Sequence, residues 1–124
     1  MNVSSTVTQL RTTHLENSIA FYTTVMGFSL EFRFKDFYAG IRAGNQLIHL
    51  KLVDDPDPSI EFVRAGGHFH LYFETDDVEA AAKSLKKSGV RLVRDVHRTD
   101  WGATEVILED DQGHTLHVAQ PDRA

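Results

Sequence analysis

Cysteine is absent from this 124-residue chain. That excludes disulfides, thiolate metal sites and cysteine nucleophiles, so a metal here would rest on imidazole or carboxylate. A basic excess is also missing: 13 Lys and Arg stand against 18 Asp and Glu, for a formal net charge of −5. With no basic stripe, neither nucleic acid nor an anionic membrane is expected as a partner. No apolar run approaches the length of a bilayer-spanning helix. The opening Met1-Asn2-Val3-Ser4-Ser5 lacks the basic and apolar regions of a signal peptide, so the expectation is a soluble, cytoplasmic protein. Gly-x-Ser-x-Gly, phosphate-cradling and dinucleotide motifs are absent too. What is present in quantity is histidine, seven residues, in a chain whose length suits one domain built from two small halves.

The order of elements repeats. Thr6 to Thr12 is β-branched and reads as a strand. Thr13-His14-Leu15-Glu16 then reads as a capping box that opens a helix. The helix carries Leu15, Ile19, Tyr22 and Met26 on one face and stops at Gly27. Three short apolar runs follow: Phe28 to Phe34, Phe37 to Arg42, and Gln46 to Leu52. In the second half Phe69 to Phe73 is a strand and Asp76-Asp77-Val78-Glu79 a capping box. Its helix turns Val78, Ala81, Ala82 and Leu85 inward and ends at Gly89. Val90 to Val96, Ala103 to Leu108 and Thr115 to Ala119 complete the half. Capping boxes recur after 63 residues and closing glycines after 62. The expected architecture is α+β: two βαβββ modules, about 5–52 and 68–120, in one domain spanning 1–124. Residues 53–67, with Pro56, Pro58 and several acids, read as a linker. A module this small cannot cover both faces of its sheet, so two modules must pair, within the chain or across a dimer.

Strand alternation sorts the histidines. His49 lies opposite in facing to Ile48 and Leu50, and His117 to Leu116 and Val118. His68, His70 and Tyr72 share one face of the second module's first strand, opposite Phe69, Leu71 and Phe73. Three strands thus each offer an imidazole toward one cleft: His49, His70 and His117. Convergent imidazoles suit Zn²⁺, Fe²⁺, Mn²⁺ or Ni²⁺. Equally, each is a polar residue of a metal-free pocket. His14 belongs to a helix start, His114 to a turn, and His97 to a polar loop. Trp101 on that loop either stacks on a ligand or plugs one end of the sheet. Glu105 reads as an outward strand carboxylate, or as an acid–base group if it turns inward.

Two stretches carry a family resemblance: His14-Leu15-Glu16-Asn17-Ser18-Ile19-Ala20-Phe21-Tyr22 before Met26-Gly27-Phe28, and His70-Leu71-Tyr72-Phe73-Glu74-Thr75-Asp76-Asp77-Val78. With Trp101-Gly102 and Asp110-Asp111-Gln112-Gly113-His114-Thr115-Leu116-His117, they make the chain resemble the vicinal oxygen chelate superfamily. That superfamily includes glyoxalases, bleomycin-resistance proteins, fosfomycin-modifying enzymes and extradiol dioxygenases. The resemblance implies paired modules forming a cupped mixed sheet around a small-molecule cleft, usually in a homodimer. The family's metal positions fall on Val7, His49, His70 and His117, and Val7 has no donor atom. Two function classes follow. One is a metal-dependent lyase, transferase or dioxygenase, with His49, His70 and His117 holding one divalent ion and Glu105, Tyr72 and His68 assisting proton transfer. The other is a metal-free protein that sequesters an aromatic or cationic drug, with Trp101, Phe32, Tyr38 and Gln9 lining the site. A metal-free isomerase or a degenerate regulatory module is a third class.

Overall fold

The computed structural model describes residues 1–123. The chain divides into two compact units, Met1–Asp57 and Pro58–Ala124. In the first, β1 (Thr8–Thr12) leads to α1 (Leu15–Ala20), which continues as a π-helical turn over Phe21–Val25. β2 (Ser29–Phe34), β3 (Tyr38–Ala43) and β4 (Gln46–Leu52) follow. The second unit opens with α2 (Ser59–Gly66) and continues β5 (Leu71–Glu74), α3 (Val78–Lys87), β6 (Leu92–Arg98), β7 (Ala103–Glu109) and β8 (Thr115–Pro121). The sheets have equivalent orders, β1-β4-β3-β2 and β5-β8-β7-β6. In each, the outer pair beside the first strand is parallel and the other pairings are antiparallel. The expected α+β class and βαβββ repeat are therefore present.

One face of each sheet is covered by its own helix. In the first unit, Leu10, Ala39, Ile41, Ile48 and Leu50 are buried, as are Leu15, Ile19 and Tyr22 of the helical segment. In the second, Val106, Leu108, Leu116 and Val118 are buried, as are Val78, Ala82 and Leu85 of α3. Each of the buried Val, Leu and Ile side chains contributes about 1.5–3 kcal/mol of burial free energy. The imidazole-bearing faces are the opposite ones.

Three local expectations are corrected. The helix caps are His14, whose Nδ1 accepts from Asn17 N–H, and Asp77, which accepts from Ala80 N–H. Each lies one residue after the expected Thr13 and Asp76. Glu16 pairs with Arg33 rather than reaching back to the cap. The linker reading of 53–67 misses α2; Glu61 in its first turn, Arg64 in its last and Gly67 at φ 68° are ordinary start and stop signals. The second module's first strand starts at Leu71, not Phe69, and its second reaches Arg98 rather than ending at Val96. The one-residue difference between the two helical segments, expected from the 63- and 62-residue spacings, is present, and the π turn absorbs it: Met26 N–H donates to Phe21 O at 3.0 Å, five residues back.

Candidate functional site

Register gathers the first unit's site. Gln9 pairs with His49, His49 with Gly40, and Gly40 with Phe32, forming one row across all four strands. The last pairing depends on a bulge between Leu30 and Phe32. Without that extra residue Glu31 would stand opposite Gly40. Gly40 itself makes room for the ring, since a Cβ there would lie 2.1 Å from Phe32 Cε2. Tyr38, two residues from Gly40, shares the face. Its ring is nearly parallel to Phe32, at 16° with centroids 6.4 Å apart, and His49 meets Phe32 edge-on at 5.4 Å. The polar atoms form a chain: Gln9 Nε2–H donates to Tyr38 Oη at 3.0 Å, and Tyr38 Oη lies 2.8 Å from His49 Nδ1. The Phe32 side chain is 37% exposed. These four sequence-expected residues therefore form one aromatic and hydrogen-bonding platform.

The second unit places Tyr72 opposite His117, equivalent to Gln9 opposite His49. Phe69 packs on both rings, with centroids 5.3 Å from Tyr72 and 5.0 Å from His117. Glu105 occupies the position equivalent to Tyr38, two residues along the neighbouring strand, and faces inward with only 2% exposure. Its Oε1 lies 3.2 Å from His97 Nε2 and 3.5 Å from His117 Nδ1, while Oε2 is buried with no hydrogen-bond partner among the described residues. Ala119, directly opposite Glu105, is small enough to leave room for these side chains.

His97 is the residue the sequence reading missed. Irregularities between Leu92 and Arg94, and again between Arg94 and His97, add two residues to β6. Without them Asp95 would oppose Glu105. The imidazole Nδ1 lies 2.8 Å from the Asp95 carbonyl, which only accepts, so that nitrogen carries a proton. Nε2 faces Glu105 Oε1 at 3.2 Å, a buried carboxyl–imidazole contact of the kind that can pass protons. Burial holds His117 below its ordinary protonation range; Glu105 opposes that shift and His97 adds to it.

The other expected site residues lie elsewhere. His70 precedes β5 and is turned away from Tyr72, toward His114. Its Nδ1 accepts from Thr115 N–H at 3.2 Å, and its Nε2 lies 3.1 Å from Ser59 Oγ. A neutral ring whose Nδ1 accepts has its proton on Nε2, which leaves no lone pair for a metal and none to activate Ser59. His68 is exposed at the C-terminal end of α2, its backbone N–H closing that helix on Val63 O. Trp101 sits in the β6–β7 hairpin turn and is 69% exposed, so it is not a sheet plug. His114 does serve its turn, but from a buried position, bonded through Nδ1 to Asp110 Oδ2 at 2.8 Å.

The implied metal set does not fit these residues. Val7 offers no donor, the His70 nitrogens are both engaged, and His49 Nδ1 is held by Tyr38. Among the described residues, no three His, Cys, Asp or Glu side chains are gathered so as to hold a metal ion.

Residues 5–118 match the family described as the Glyoxalase/Bleomycin resistance protein/Dioxygenase superfamily. An uncharacterized protein of Mycolicibacterium smegmatis is 31% identical over 113 residues, covering 90% of this chain and 89% of that one. A lactoylglutathione lyase of Neisseria meningitidis is 27% identical over 121 residues, covering 91% and 87%. In structure the chain is similar to the bleomycin-binding protein of Streptomyces verticillus complexed with copper(II)-bleomycin, with TM-score 0.72 and 18% identity over 98% of this chain and 99% of that one.

Proposed function

Since the chain belongs to the glyoxalase/bleomycin resistance protein/dioxygenase superfamily, we propose that it is a metal-free member that binds an aromatic small molecule on the Phe32–Tyr38–His49 platform. One observation carries this reading: a partly exposed Phe32 ring lies on Gly40, walled by Tyr38 and His49. A flat ligand gains apolar contact there without disturbing the core beneath. The similarity to a bleomycin-binding protein supports a small-molecule ligand, and the misfit of the metal positions supports binding without an ion.

A second reading, a Zn-, Mn-, Fe- or Ni-dependent lyase using His49, His70 and His117, is favoured by the likeness to lactoylglutathione lyase. It requires His70 to release Thr115 N–H, because a metal on Nδ1 takes that lone pair and a metal on Nε2 sends the ring proton to Nδ1. Calorimetry of bleomycin and of methyl naphthyl ketone, with metal analysis of protein purified without chelator, separates the two. The proposal expects binding of at least one of these ligands by metal-free protein, weakened about tenfold by Phe32→Ala. Stoichiometric metal that is lost in His70→Ala, with no binding by the metal-free protein, would overturn it.

A further inference from the structure

The hydrogen-bond chain beneath the platform has a direction. Gln9 supplies an amide N–H to Tyr38 Oη at 3.0 Å, so that oxygen accepts from one side. Among the described residues its own O–H has one acceptor, His49 Nδ1 at 2.8 Å, and donating there satisfies it. A neutral imidazole that accepts at Nδ1 carries its proton on Nε2. No hydrogen bond of His49 Nε2 occurs among the described residues. The ring is half-buried, edge-on to both Phe32 and Tyr38. The platform therefore joins a flat apolar surface to an uncommitted N–H donor.

We propose that this face selects planar aromatic molecules bearing a hydrogen-bond-accepting oxygen, with the ring against Phe32 and the oxygen accepting from His49 Nε2–H. The inference rests on the proposed binding function and names the chemical class of its ligand. Phe32 supplies affinity common to any flat ring. His49 supplies discrimination, because a ligand without the oxygen leaves the donor unpaired as it is covered. Tyr38 is a positioning residue: it acts through His49 by fixing which nitrogen holds the proton.

The test compares two ligands of nearly equal shape, methyl naphthyl ketone and ethylnaphthalene, by their fluorescence on titration with protein. The unaltered chain is expected to prefer the ketone about tenfold, the worth of one neutral hydrogen bond. Tyr38→Phe is expected to reduce that preference to about threefold or less. Phe32→Ala is expected to weaken both ligands by a similar factor and keep the ratio. His49→Gln, which retains an N–H donor, is a second variant expected to keep part of the preference that His49→Leu abolishes. Equal affinity for the two ligands in the unaltered chain would overturn the inference and leave the binding function standing. Failure of both naphthyl ligands while bleomycin binds would also overturn the inference, and failure of bleomycin as well would remove the binding function on which it rests.

Discussion

A methyl group added at Gly40 would collide with a ring rather than with backbone, the nearest atom being Phe32 Cε2 at 2.1 Å. Phe32 is on a strand whose residues are all exposed, so its ring has solvent to swing into. Gly40→Ala is thus expected to cost only about 1 kcal/mol in urea unfolding. Binding of the naphthyl ketone should fall about tenfold, as in Phe32→Ala. A large loss of stability would show instead that Gly40 serves the core. His117 gives a pH prediction. Its unfolded imidazole protonates near the ordinary 6.5, and the folded one at lower pH because burial disfavours the charge. Between those values the unfolded state binds more protons, so stability falls as pH drops below 6.5 and levels off beneath the folded value. Urea midpoints measured from about pH 8 to 5 should show this slope, reduced in His117→Phe. Equal slopes in both proteins would refute the assignment to His117.

At the scale of elements, the caps separate what sequence spacing reveals from what it blurs. Asp76 and Asp77 both suit a helix start, but only Asp77 accepts from the helix, at Ala80 N–H. Asp76 instead forms an exposed ion pair with Arg123. Asp77→Ala is expected to destabilise the protein by about 1 kcal/mol, whereas Asp76→Ala changes little. Thermal unfolding of the two variants checks this, and equal effects would refute the assignment. Strand existence was readable from β-branched and apolar runs; Gln46–Leu52 occurs as expected. The bulges were not readable. They place Phe32 rather than Glu31 over Gly40, and His97 rather than Asp95 against Glu105. Alternation along one strand carries no information about an extra residue, because that residue exists only relative to a partner strand. For the same reason His70 and Tyr72 were read onto one face, although the strand begins only at Leu71.

For the molecule as a whole, the metal question becomes one of stability. If no ion contributes to the folded state, excess EDTA should leave the melting temperature unchanged, since a ligand that stabilises only by binding must be removable. A drop of several degrees, restored by Zn²⁺ or Mn²⁺, would count against metal-free function. The described residues contain no helix long and apolar enough to cross a membrane, in keeping with the scattered apolar runs of the sequence.

The sequence by itself determined the class of fold, the two βαβββ modules and the inward facing of His49 and His117. These follow from short-range periodicity, capping residues and closing glycines, all carried by neighbouring positions. Tertiary structure alone decided which imidazoles have a nitrogen to spare. His70 is committed to Thr115 and Ser59, His97 is brought to Glu105, and Tyr38 is brought to His49 Nδ1. Those partners lie between 8 and 45 residues away in the chain. The lone pair of a histidine is assigned by whichever group reaches it, and that depends on strand register, not on local spacing.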